Sequence, residues 1–257
     1  MEAMSRPPSP DSSHPLAASG AAHGASHGAA HGVGERVADR VDEVVAAVKP
    51  HLRGWLHAGV FPLVLAAGIV LTVLAPTTAS RVSSAIFAVT AALLFGTSAV
   101  YHRGTWSPRT QILLKRFDHS NIFLIIAGSY TPFAALLLTH DKARTLLWIV
   151  WLGALGGVLF RVFWVGAPRW LYTPIYCALG WVAVIYLPDF YRSGGAVLLT
   201  LIIVGGALYT VGAVVYGLKR PDPSPRWFGF HEIFHACTIA AFTVHYIAVS
   251  IAVYTHT

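Results

Sequence analysis

Charge is what this sequence has least of. Asp, Glu, Lys and Arg together make 11% of its 257 residues, while hydrophobic residues make 55%. A soluble domain carries about 25% charged residues, and a water-facing surface cannot be assembled from less than half of that. A soluble globular fold is therefore excluded. Cysteine is nearly as scarce: Cys177 and Cys237 each stand inside an apolar stretch, which leaves no disulfide framework and no thiolate metal site. The N-terminal region lacks an apolar core followed by a small-residue cleavage site, and it contains acidic residues, so it does not read as a secretory signal. The net charge of +7 raises the question of a nucleic-acid partner. The basic residues answer it, because they are scattered between apolar runs instead of clustering on one segment, the pattern of topogenic charge and not of nucleic-acid binding.

What the chain has in abundance is apolar sequence of membrane-spanning length. Seven stretches, at about 54–76, 81–102, 117–139, 145–166, 170–189, 195–217 and 230–254, each approach the ~20 residues that cross a bilayer. They predict an all-α, polytopic membrane protein, a bundle of seven transmembrane helices over residues 54–257. Residues 1–35 are rich in Ala, Gly, Ser, Pro and His, include the near-repeat AAHGASHGAAHG, and read as a disordered arm. Residues 36–51 place Val37, Val41, Val44, Val45 and Val48 at helical spacing with charges between them, which suggests an amphipathic juxtamembrane helix ending at Pro50. The segments Arg103 to Arg116 and KRPDPSPR at 219–226 read as polar loops.

Alternate loops differ in charge. One side of the membrane receives Arg36, Arg40, Lys49, Arg53, Arg103, Arg109, Lys115, Arg116, Arg161, Arg169, Lys219, Arg220 and Arg226. The other receives Arg81, Lys142, Arg144 and Arg192. The positive-inside rule then puts the N-terminus in the cytoplasm and the C-terminus outside a cell membrane.

That orientation gathers the polar residues of the spans. Ser98 and His102 lie one helical turn apart at the cytoplasmic end of the second stretch, Asp118 opens the third, and His231 and His235 lie one turn apart at the start of the seventh. All five occupy one leaflet, although the charge rule used only Lys and Arg. The i, i+4 spacing turns His231 and His235 onto one helix face, so both reach one ion, and His102 supplies a third nitrogen from across the bundle. Three imidazoles with an open fourth position describe a catalytic zinc site. Asp118 then orients the water or accepts its proton, and Ser98 hydrogen-bonds the water, Asp118 or a substrate oxygen. Taken singly, each residue has a plainer use. A histidine at an interface is more often simply hydrogen-bonded, Asp118 can pair with Lys115 or Arg116, and a serine commonly packs helices. The conjunction at one depth carries the metal reading.

Other residues are set aside. His119 follows Asp118 and faces elsewhere, while His245 lies ten residues past His235, about 15 Å deeper, as polar glue inside the bundle. Gly128, Tyr130, Thr131 and Pro132 suggest a kink and close helix approach. His14, His23, His27 and His31 belong to the flexible arm.

The strings FGTSAVYHRG, FDHSNIFLIIAGSYTP and GFHEIFHACTIAAFTVHYIAV resemble the three signature segments of the hemolysin III family, the bacterial branch of the progestin and adipoQ receptor group of seven-helix proteins. The resemblance covers residues 54–257 and leaves the N-terminal arm outside. It implies zinc held by His102, His231 and His235, with Asp118 and Ser98 as the family's aspartate and serine. The wider superfamily includes alkaline ceramidases, so the resemblance implies a hydrolase of a membrane lipid amide or ester. The bacterial name records a lytic phenotype, and a lytic factor, sensor or transporter built around structural zinc is the alternative class. HEIFH also fits the H-E-x-x-H pattern of metalloproteases, with Glu232 as general base. No further acidic residue follows, however, Ala241 stands where the extended pattern needs its third histidine, and Asp189 falls near the opposite face.

The charge asymmetry predicts that a reporter fused after Thr257 reads as extracellular and one inserted near Pro223 as cytoplasmic. Accessibility labelling of intact cells checks this, and both reporters on one side would contradict it.

Overall fold

The computed structural model describes residues 52–256. The arm expected over 1–35 and the amphipathic helix expected over 36–51 lie outside the described residues. The regular structure among the described residues is helical, apart from an isolated Ser224–Phe228 bridge in a loop. The elements are α1 (Trp55–Leu74), α2 (Thr78–Arg103), α3 (Pro108–Leu137), α4 (His140–Phe163), α5 (Arg169–Trp181), a 3-10 turn (Val182–Tyr186), α6 (Leu187–Leu218) and α7 (Phe230–Thr255).

Six stretches among the described residues are long and apolar enough to cross a bilayer: α1, α2, α3, α4, α7 and the 50-residue run Arg169–Leu218. A continuous helix of that last length would extend about 75 Å, over twice the hydrocarbon thickness of ~30 Å. The run is interrupted at Gly195, whose φ of 71° and ψ of −176° fall in a region essentially reserved for glycine. Residues on either side of it meet in antiparallel order. Trp181 Nε1 donates to Thr210 Oγ1 over 3.2 Å, Thr173 packs beside Gly217, and the hydroxyls of Tyr172 and Tyr216 lie 3.1 Å apart.

The segment expected to be a polar loop between residues 103 and 116 is in large part helix. Ser107 accepts a hydrogen bond from the Thr110 amide and Pro108 takes the first helical position, so α3 starts well before its apolar run. Arg109, Lys115 and Arg116 therefore ride on its first turns. The fifth stretch also continues past residue 189, because Pro188 sits in the first turn of α6 and helix persists to the glycine break.

The distribution of polarity is inverted relative to a water-soluble protein. His57, Ser98, His102, His119, Arg161, Glu232, His235 and His245 are buried, whereas Phe163 is 83% exposed, Leu63 68% and Val73 65%. Such a surface suits hydrocarbon, and such an interior is where a membrane protein keeps polar chemistry. Helix α3 is the central element: its apolar window is 72% buried, against 22% for α1. It packs closely on α2 at Gly128, where a Cβ would collide with Thr90. It also braces the end of α5, since Tyr130 donates to the Gly180 carbonyl and accepts from the Ala183 amide at 2.7 Å. Pro132 sits within the same helix. The α2–α3 contact sets the distance between His102 and Asp118, so it positions the site as well as the fold.

Gly128→Leu will accordingly lower the thermal midpoint of the detergent-solubilised protein, at a cost of about 1–3 kcal/mol for overpacking. Gly156→Leu, at an exposed position with nothing within 4 Å of the added atom, will leave the midpoint unchanged. Equal effects of the two would show that the α2–α3 approach is not limiting.

Candidate metal centre

Helix α7 begins where its backbone donors are satisfied. The Gly229 amide donates to Glu232 Oε2 at 2.9 Å and the Phe230 amide to Asp222 Oδ1 at 2.9 Å. This start places His231 and His235 on successive turns of one face, directed at the end of α2. The ring nitrogens available from His102, His231 and His235 lie within 4.8 Å of one another. His231 Nε2 and His102 Nε2 are 3.3 Å apart. Nitrogens held at 2.0–2.1 Å around one tetrahedral ion are separated by roughly 3.3–3.4 Å, so the spacing of this pair suits a shared ion. His235 Nδ1 is buried and has no hydrogen-bond partner among the described residues. The donor set, three neutral imidazoles without a thiolate, fits a divalent metal of the zinc type.

Asp118 faces this group, with Oδ2 3.8 Å from His102 Nε2. It forms no ion pair with Lys115 or Arg116 among the described residues, so the plainer use of the carboxylate is not the one observed. Ser98, one turn before His102, is its side-chain hydrogen-bonding neighbour. All five residues singled out from the sequence are thus brought to one place at one end of the bundle.

Glu232 of the HEIFH motif is not part of it. The carboxylate is fully buried, and both oxygens are engaged, Oε1 by Arg53 Nε at 3.0 Å and Oε2 by the Gly229 amide. Both oxygens are committed to these structural bonds, and Glu232 is not among the residues that border the cavity His231 and His235 face. His119 donates to or accepts from Tyr216 Oη at 3.3 Å through Nε2 and meets the Lys115 carbonyl at 2.7 Å through Nδ1. It borders the same cavity as Asp118, so it faces the chamber more than its sequence position suggests.

Sequence reasoning passed over His57. Its ring stacks on that of His235, centroids 3.9 Å apart and planes 17° from parallel. Both of its nitrogens are buried without a hydrogen-bond partner among the described residues. Nothing on α1 repeats at helical spacing with it, and the only signal was a single imidazole in an apolar helix. A second omission is the aromatic and cationic layer beside Asp118. Arg161 lies over the Tyr172 ring at 4.4 Å and Arg169 over the Tyr216 ring at 4.7 Å. Arg161 is 1% exposed, a degree of burial its place near a predicted loop did not suggest.

These groups look onto a cavity of about 550 Å³. Ser98, Asp118, His231 and His235 border one end, and its walls are otherwise largely apolar, with Ile125, Phe133, Leu187 and Phe190 along the length. Trp181, Val184, Ile203 and Val211 border it as well, yet each is more than 45% exposed on the outer surface. The chamber therefore opens sideways between α5 and the second half of α6, towards the side that faces hydrocarbon.

Comparison with known proteins agrees with this architecture. Residues 45–246 match the family described as Haemolysin-III related. A hemolysin-3 homolog of Bacillus subtilis (strain 168) is 38% identical over 150 residues, 58% of this chain and 70% of that protein. Hemolysin-3 of Bacillus cereus is 33% identical over 140 residues, 54% of this chain and 64% of the relative. More distantly, an adiponectin receptor protein of Drosophila melanogaster is 28% identical over 193 residues, 67% of this chain and 43% of its own length. With a family match over most of its length, and with the helices and polar residues that carried the resemblance in place, this chain belongs to the hemolysin III family.

Proposed function

We propose that this protein is a zinc-dependent hydrolase of a membrane lipid amide or ester, working from the cytoplasmic leaflet of a seven-pass bundle. The observation that carries the reading is the position of the histidine group, which lies with Asp118 and Ser98 at one end of an apolar cavity that opens sideways to the lipid. A polar catalytic group in water would need no such chamber, whereas a lipid chain needs an apolar one to leave the bilayer. The seven-pass count rests on the antiparallel contacts about Gly195, and the orientation rests on loop charge.

His102, His231 and His235 would hold the ion. Zinc bound there would supply a Lewis acid and would lower the pKa of a water to about 7. Asp118 would hold a proton-accepting oxygen beside these imidazoles, and Ser98 would keep that carboxylate in place. The Arg53–Glu232 pair anchors α1 to the start of α7, so His57 stays stacked on His235. Ser98, His102, His235 and Glu232 are buried and Asp118 and His231 half-buried, which limits bulk water and strengthens their electrostatic effect. Use of both Glu232 oxygens in structural bonds speaks against the protease alternative.

Two results test the reading. Purified protein will carry about one zinc per chain; His235→Ala will lose it, and His245→Ala, about 15 Å further along the helix, will keep it. Elemental analysis checks this, and equal loss in both would put the ligand assignment elsewhere. In a turnover assay on lipid amides, Asp118→Asn will retain zinc and lose on the order of 10²-fold in rate, since an amide keeps shape but accepts no proton. Glu232→Gln will retain most activity. The reverse ranking would restore the protease reading, and no effect of either change on any lipid would favour structural zinc.

A further inference from the structure

The far end of the cavity holds a second set of polar side chains that the metal centre does not use. His245 is buried against Gly205, where any Cβ would overlap its imidazole. Its Nε2 lies 3.2 Å from the Ile202 carbonyl oxygen. A carbonyl only accepts, so Nε2 carries the ring proton and Nδ1 is left as an acceptor. Nδ1 is buried with no hydrogen-bond partner among the described residues, and the same is true of the Tyr209 and Ser129 hydroxyls. The Tyr209 ring is 5.6 Å from that of His245. Ser129 lies one turn before Phe133 on the same face of α3, and the Phe133 ring is 5.7 Å from that of His245. His245, Tyr209 and Ser129 all border the cavity.

Buried polar atoms in folded proteins are almost always paired. His57, Thr173, Tyr176 and His235 carry unpaired atoms elsewhere on the chamber's lining, and the three around His245 mark a separate place where a ligand puts a polar group, whose chemistry they restrict. Nδ1 of His245 requires a donor, which excludes a ketone or ester oxygen. No Lys, Arg, Asp or Glu borders this end of the cavity, which excludes a carboxylate or phosphate. A hydroxyl satisfies the set, donating to Nδ1 and accepting from Tyr209 or Ser129. It must arrive on an apolar body, because Phe133, Phe190 and Ile202 enclose it. The subsite lies about 15 Å along α7 from His235, close to the depth of one leaflet of hydrocarbon, so a chain whose polar end is at the metal centre brings its far end here.

We propose that His245, Tyr209 and Ser129 form a hydroxyl-binding subsite that selects lipid chains hydroxylated near their far end. The proposal rests on the reading of the cavity as a lipid site, with the head of the chain at the histidine group.

The test is equilibrium binding of radiolabelled ω-hydroxypalmitate and palmitate to the full chain in phosphatidylcholine nanodiscs, with binding to empty discs subtracted. The hydroxylated chain will bind about fivefold tighter or more, the gain expected of hydrogen bonds that satisfy buried groups. Tyr209→Phe removes a single hydroxyl and will reduce that preference. His245→Ala will abolish it, and retained zinc shows that variant to be folded. Equal affinity for the two chains in the unaltered protein, or an undiminished preference in both variants, would overturn the subsite while leaving the lipid reading intact. Failure of either chain to bind would overturn both together.

Discussion

Hydrocarbon solvates neither an imidazole nor a carboxylate, and the whole arrangement of this bundle follows from that. A polar side chain carried into the spans is costly unless it finds a partner within the protein or in a ligand. The described residues do both. Glu232 is neutralised by Arg53 and a backbone amide, Arg161 is covered by Tyr172 and backbone carbonyls, and Tyr130 ties down the loosened end of α5. Both nitrogens of His57 and the Nδ1 atoms of His235 and His245 have no hydrogen-bond partner among the described residues, and all three residues border one chamber. Satisfied groups build the scaffold, and open ones define what the scaffold is for.

The close approach of α2 to α3 converts this constraint into a site. Because Gly128 has no side chain, Thr90 can sit against the α3 backbone, and the two helices run close enough for His102 and Asp118 to face each other at 3.8 Å. Helix α7 completes the group from the opposite side, its start fixed by the Gly229, Phe230 and Glu232 capping bonds. Local chain chemistry at a helix N-terminus therefore determines where the imidazoles of His231 and His235 point. The same glutamate that would serve as base in a soluble metalloprotease works here as a cap and an ion-pair partner, which shows how far a short motif depends on its surroundings.

The cavity joins two kinds of chemistry about 15 Å apart along α7. At one end lie groups suited to a metal and a proton; at the other lie hydroxyls and an imidazole acceptor in an aromatic enclosure. Between them the wall is apolar and its side is open near Trp181 and Ile203. A long amphiphile entering sideways would meet both ends at once, so the length of the molecule becomes part of its recognition.

Much of this was legible in the sequence, because composition and periodicity report on solvent. Eleven per cent charge and 55% hydrophobic residues specify a bilayer, and i, i+4 histidines specify a shared helix face wherever the helix goes. Ser98, His102, Asp118, His231 and His235 could be picked out for that reason. Helix α3 starts earlier than hydropathy indicates, because hydropathy registers the charged residues while Ser107 and Pro108 set the helix boundary by backbone chemistry. His57 was passed over because stacking on His235 joins residues 178 positions apart, and nothing local records such a contact. Engagement of Glu232 by Arg53, burial of Arg161 and the position of the cavity are of the same kind. Sequence fixes which side chains a helix presents; only the packing of helices decides which of them meet, because that choice is made by distant surfaces such as the Gly128–Thr90 contact and the reversal at Gly195.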